Sequence, residues 1–354
     1  MGLVVNLTNF LARDKIAIIP KKGIPMRHIR IFLFIALLVT QAVWAKTDKL
    51  SVILDWFPNP DHAPLIVAKQ KGFFKAQGLD VNLIGPADPS DPPKWIATQK
   101  ADIGLTYEPE FMEQVDHGLP LIRIGTLIDK PLDCIVALKS SGIRTLADLK
   151  GKRIGTGSSG LSSIMLRTAL AKTGIKTHEV ELINIKYNLT QALLSKNVDA
   201  VTGMMRNFEV PQIEMTGKKV ITFFPEEHGI PNYSVLIFVA HTRHINDPRF
   251  PRFLAALKAA VEYIDANPKA AWKLFASAYP ESNNPVNRQA WFNTLPYFAE
   301  DPATFDRTEW TQFAEFMFRN KMIKKVQPVS RYAVALPEIK PLQVSLNEPR
   351  VIPK

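Results

Sequence analysis

From residue 50 onward, short apolar runs alternate with amphipathic stretches. Leu50–Leu54 is a strand-like run, and the segment from Pro64 to Phe74 spaces Leu65, Ile66 and Ala68 as one face of a helix that stops at Gly72. Leu79–Ile84 alternates apolar and polar residues with the period of two expected of a strand. Pro89-Ser90-Asp91 caps a helix carrying Trp95 and Ile96, and Ala101–Leu105 predicts a third strand. The same grammar restarts after Leu138. A capped short helix (Thr145–Lys150), a strand (Arg153–Gly155), a Gly/Ser loop and a helix (Leu161–Lys172) come first. A strand (Glu181–Ile185), a helix from Leu189, a strand at Ala200-Val201 and a helix after Asn207 complete this second series. Tyr233–Ala240 is an unbroken apolar strand, and from Pro248 to about Asn320 the pattern is helical and rich in aromatic residues.

Repeated β and α units of this length predict an α/β fold with largely parallel sheets. The restart after Leu138 predicts two α/β lobes, the second inserted in the first. Lobe 1 is expected over 46–132 and 240–327, lobe 2 over 133–239, and an extended tail over 328–354. The connections, Gly125–Leu138 and Tyr233–His241, both read as crossover strands. Two lobes on two crossovers make a hinge, and loops at the carboxyl ends of both sheets then face a ligand cleft.

The N-terminus reads differently. Arg27 and Arg30 precede the apolar run Ile31–Val39, and Val43 and Ala45 flank Trp44 in an A-x-A-like cleavage pattern, so residues 1–45 are expected to be a signal peptide cleaved after Ala45. Met26 stands where such a peptide would begin, leaving Met1 or Met26 as the true start. Setting this segment aside lowers the basic count from 44 to 38 and the acidic count from 33 to 32, so the formal net charge drops from +11 to +6. The remaining basic residues are scattered without interleaved aromatics, which argues against nucleic acid binding. Cys134 is the sole cysteine and lies in a strand-like apolar run, which excludes an internal disulfide and any cysteine-based metal site.

Candidate chemistry gathers where strands end. After the first strand, Trp56 offers a flat face for a heteroaromatic ring or an anchor for the lobe, and Asn59 offers a donor and an acceptor. His62 has three readings, as ligand contact, residue of the following helix cap, or metal ligand; with no second His or Cys nearby at ligand spacing, metal is disfavoured, and Asp61 reads as a cap. Tyr107 and Glu108 follow the third strand, where Glu108 or Glu110 either answers the helix dipole or accepts hydrogen bonds from a ligand amino group. Ser158, Ser159 and Gly160 lie in a Gly/Ser loop that cradles an anion or simply caps a helix, and that lacks the lysine of a nucleotide-binding loop. In the second series Tyr187, Asn188, Met204, Asn207 and Glu209 follow strands, with Met204 and Met205 as pocket wall or core, and Tyr233 can reach the cleft from the return crossover.

The stretches LDWFPNPDHAPLIVAKQKGFFKAQGLDV, DPSDPPKWIATQKADIGL, GTLIDKPLDCIVAL and DLKGKRIG, in this order and spacing, resemble the NMT1/THI5-like family over roughly residues 48–320. The resemblance implies a type II periplasmic binding protein fold. It also implies a periplasmic solute-binding function within an ABC importer for an aminopyrimidine precursor of thiamine. Glu209 matches the position that supplies an acid to the pyrimidine. The expected partners are a small heteroaromatic ligand and an inner-membrane permease, with no cofactor, no metal and a monomeric protein. Alternatives are another heteroaromatic solute such as riboflavin, or the pyrimidine synthases of the same family. Those enzymes use a lysine and a histidine four residues apart, which here fall on Thr106 and Glu110, so the resemblance points to binding and not to catalysis.

Overall fold

The strand β1 (Asp48–Ile53) buries Leu50, Val52 and Ile53 and exposes its first two residues, as a strand entering a core should. In this computed structural model the described residues are 47–157 and 160–339, without the side chains of 160–163; the expected signal peptide lies outside them. The described residues from Thr47 onward belong to one compact unit.

β1 pairs in parallel with β2 (Leu79–Ile84) and β3 (Ile103–Thr106). β10 (Leu236–His241) runs antiparallel between β3 and β4 (Leu121–Ile128), giving the order β2-β1-β3-β10-β4. A second sheet repeats this plan, with β6 (Arg153–Thr156) parallel to β7 (Glu181–Asn184) and β8 (Ala200–Met205). β5 (Asp133–Leu138) is antiparallel to both β8 and β9 (Val220–Phe223), giving the order β7-β6-β8-β5-β9. The two-lobe α/β expectation is met, and the sheets are mixed because the strand that enters each lobe from the other runs against the parallel set.

Two boundaries move. The expected limit at 239/240 cut through β10, but this whole strand is laddered to β3 and β4 and so belongs to the first sheet; an apolar run reveals a strand without revealing its neighbours. The return crossover is therefore the segment 224–235, and only 129–132 separates β4 from β5. The expected extended tail is also docked as far as Val334. Tyr332 is buried and Ala333 bridges to Arg123 on β4. The cause is a buried guanidinium: Arg123 donates through Nη1 to Val334 O at 2.9 Å and through Nη2 to Thr126 Oγ1 at 2.7 Å and Thr304 O at 2.5 Å. Burial lowers the pKa of this arginine to about 9.

Helices cover the sheets closely. A Cβ on Gly125 would stand 2.6 Å from Leu254 Cδ2 and 3.1 Å from Pro302 O, so only glycine lets the helix Arg249–Ala266 seat on β4 and β10. Phe74 stacks on Phe253 at 5.4 Å and Phe238 meets it edge-on at 5.2 Å, locking that helix to the first sheet.

Candidate ligand-binding cleft

The loop after β1 is built by its own side chains. Asn59 sits in extended backbone and its Oδ1 accepts from Asp61 N at 2.8 Å, starting the short turn Pro60–His62, while its Nδ2 donates to Phe57 O at 3.1 Å. Asn59 N donates to His62 Nδ1 at 3.2 Å. That nitrogen is therefore an acceptor, which leaves the proton on Nε2, and Nε2 donates to Asp55 Oδ1 at 2.9 Å. Tyr107 OH donates to the other oxygen of Asp55 at 2.7 Å. Burial, then the Asp55 carboxylate, pushes the Tyr107 hydroxyl pKa up. His62 is fully buried, faces Asp55 and does not line the cavity, so it fixes the loop; Asn59 lines the cleft but has both side-chain atoms engaged by the loop.

Across from this loop, the end of β8 presents Gly203 and Met205, followed by Phe208 and Glu209. Strand alternation turns Met204 the other way, into the apolar core of the second sheet with Cys134 and Val136, so it is not pocket wall. Glu209 Oε2 accepts from Met205 N at 2.8 Å, which aims the carboxyl back across the strand end. Together with Asp55, Trp56, Asn59, Asp61, Tyr107 and Leu189, these residues line a narrow cavity of about 30 Å³.

Trp56 links the two sides. It springs from the first lobe yet packs in the hydrophobic cluster of the second, edge-on to Tyr187 at 4.5 Å. A Cβ on Gly157 would come within 3.3 Å of the indole, so glycine is what lets the second-lobe loop approach it. Tyr187 OH donates to Pro86 O at 2.9 Å, and Lys186 pairs with Asp88 beside it, so these residues seal the rim.

The electrostatics are one-sided. The described lining holds three carboxyl groups, on Asp55, Asp61 and Glu209, and no lysine or arginine. Burial raises Asp61 to about 6, offset in part by hydrogen bonds from Asn207 and Thr294, and raises Glu209 to about 7, offset by the Met205 amide. Glu110 behind them is raised to about 7 by burial and then by Glu113. Such a site suits a ligand that brings amino groups or positive charge, and repels an anion. Among the described residues, no cluster of three His, Cys, Asp or Glu could hold a metal ion.

Several expected site residues go elsewhere. Glu108 is buried toward the return crossover, where it accepts from Ser234 N at 2.7 Å, because it opens its helix on the side away from the cavity. Tyr233 donates to Asp133 between the two crossovers and does not reach the cavity. Asn188 is exposed and makes no side-chain cap bond, since its helix is short and surface-lying. Asn207 is buried at the lobe boundary and acts through Asp61. Ser158 and Ser159 lie outside the described residues, and Gly160 opens the helix Gly160–Thr173. Asp55, Leu189, Gly203 and Phe208 were missed, and Asp61 was assigned only to a cap. A polar residue directly beside Trp56 at a strand's carboxyl end was the available signal for Asp55.

The comparisons with known proteins bear on the family and the fold. The profile of the family described as NMT1/THI5 like matches residues 59–271. A Haemophilus influenzae protein, whose name carries a provisional assignment to thiamine biosynthesis, is 44% identical over 87% of this chain and 98% of its own length. A formylaminopyrimidine-binding protein of Halalkalibacterium halodurans is 26% identical over 72% and 77%. A 4-amino-5-hydroxymethyl-2-methylpyrimidine phosphate synthase of Legionella pneumophila is 28% identical over 82% and 92%. Among solved structures, the periplasmic aliphatic sulphonate binding protein of Escherichia coli superposes with a TM-score of 0.62 at 15% identity over 86% and 98%, a likeness of fold alone. With the profile covering more than half its length and a relative this similar, the chain belongs to the NMT1/THI5-like family of periplasmic-binding-protein fold.

Proposed function

We propose that this protein captures an aminopyrimidine precursor of thiamine, as the periplasmic solute-binding component of an ABC importer. The observation that carries the reading is the pairing of Trp56 with a cavity whose only charged groups, among the described residues, are carboxyls. A 4-aminopyrimidine offers a flat ring to the indole. Its exocyclic amino group and adjacent ring nitrogen form a donor and acceptor pair that matches a carboxyl in either protonation state. Glu209, held by one backbone amide and raised to about 7, is equipped for that pairing.

The cavity argues against the other candidates. A sulfonate would meet three carboxyls and no basic side chain among the described lining. For a synthase of the family's kind, the positions of the lysine and histidine are occupied by the buried Thr106 and Glu110. We therefore assign binding without conversion, by a monomer that closes on its ligand and then docks on a membrane permease.

The test is to load the protein with 4-amino-5-hydroxymethyl-2-methylpyrimidine, denature it, and weigh both components by mass spectrometry. Ligand and chain should be recovered unaltered. A modified ligand, or a chain that has lost mass at a residue, would establish the synthase reading instead.

A further inference from the structure

Asp61 is 6% exposed and lines the cavity, and it is also one of the points where the two lobes meet. Asn207 Nδ2 of the second lobe donates to Asp61 Oδ1 at 2.6 Å and lies 2.7 Å from Thr294 Oγ1 at the end of the helix Pro285–Thr294. Thr294 Oγ1 is 3.1 Å from the same carboxylate oxygen and 2.7 Å from Ala290 O. One oxygen of Asp61 therefore belongs to a buried three-residue contact between lobes, while the side chain also lines the cavity.

We propose that Asp61 is a specificity-determining carboxyl of the cleft, selecting ligands with an amino or cationic group on the edge facing the first lobe and linking that choice to lobe closure through Asn207. This inference rests on the pyrimidine-binding reading and adds to it a second acid opposite Glu209.

The physical ground is charge burial. Asp55 is already saturated by His62 and Tyr107, whereas Asp61 receives both its side-chain donors on one oxygen. Closing the lobes removes Asp61 from water beside two other carboxyls, and the ionised form then lacks compensation on the ligand side. Its raised pKa, about 6 with burial as the main cause and Asp55 adding to it, agrees with that deficit. A ligand amino group supplies the missing donor, so a matching ligand favours the closed form and a ligand without one leaves the carboxyl unpaired.

The test compares affinities for 4-amino-5-hydroxymethyl-2-methylpyrimidine and its analogue lacking the 4-amino group, by titration calorimetry. The wild-type protein should prefer the amino compound by at least about 10-fold, and Asp61→Asn should bring the two within about 2-fold. Asn207→Leu should weaken both ligands alike and leave their ratio standing. Thermal unfolding checks that each variant is folded, and Asp61→Ser provides the same ratio should Asp61→Asn fail to fold. An Asp61→Asn protein that keeps the wild-type ratio overturns the proposal and leaves the pyrimidine reading intact, with Glu209 as the reader of the amino group; a wild-type protein that binds both compounds equally overturns the proposal and the pairing with Glu209 as well. A wild-type protein that binds neither compound overturns that reading and the proposal together.

Discussion

The two walls of the cleft are made in different ways. On the first lobe, Asp55, Asn59, His62 and Tyr107 hold one another through hydrogen bonds that stay within that lobe. On the second, Gly203, Met205 and Phe208 offer shape, Glu209 is steadied by one amide, and the connection to the first wall runs through Trp56, Tyr187 and Asn207. The first wall is held by its own hydrogen bonds, and the second meets it through these few contacts. Preorganisation of that kind lowers the cost of binding.

The contrast can be broken most forcefully at Trp56, which belongs to one wall and packs in the other. Trp56→Ala should raise Kd for the aminopyrimidine about 100-fold while the fold survives, as judged by calorimetry and circular dichroism. An unchanged affinity would show that the indole anchors the lobe and does not face a ring. His62→Phe fills the same space but strips Asp55 of one donor and Asn59 N of its acceptor. Equilibrium unfolding should register a loss of about 2 kcal/mol, with weaker binding as a secondary effect. Stability equal to wild type would mean that the first wall does not depend on its imidazole.

Glu108 sharpens the comparison from outside the cleft. It is buried with one oxygen lacking a protein partner, and burial raises it to about 8, against the pull of the Ser234 amide. Because this lies above the ordinary 4.5, the folded chain keeps a proton that the unfolded chain has released between those values, and stability falls as pH rises from about 4.5 to 8. Glu108→Gln should remove that part of the pH dependence, gaining about 1–2 kcal/mol relative to wild type between pH 5 and pH 8, with no change in ligand affinity. A changed affinity would return Glu108 to the binding site. The smallest effect is expected at Asn188, where replacement by Ala should alter stability by less than about 0.5 kcal/mol and leave binding untouched.

Much of the scaffold was legible because strands and helices announce themselves by period. The strand runs at Leu50 and Leu79 and the helix ending at Gly72 follow from local spacing alone. The sheet that receives Leu236–His241 does not, because both faces of that strand are apolar and its partners are far away in the chain. Arg123 tethering Val334 and Thr304 is equally silent in sequence, and so the last described segment read as a loose tail. In the cleft, Trp56, Asn59, Tyr107 and Glu209 stood out by type and by position after strands. Asp61 was obscured because a local capping explanation sufficed for it, whereas its actual partners, Asn207 and Thr294, lie 146 and 233 residues away. Between Met204 and Met205 the period of two was the usable signal, and it favours Met205 once Gly203 is placed on the cleft side.

The central claim, that the carboxyl-lined cavity is a seat for an aminopyrimidine, is tested most directly by parallel calorimetric titrations with 4-amino-5-hydroxymethyl-2-methylpyrimidine, riboflavin and a short alkanesulfonate. One-to-one binding of the aminopyrimidine alone is the expected result. Tighter binding of riboflavin or of the sulfonate would contradict it.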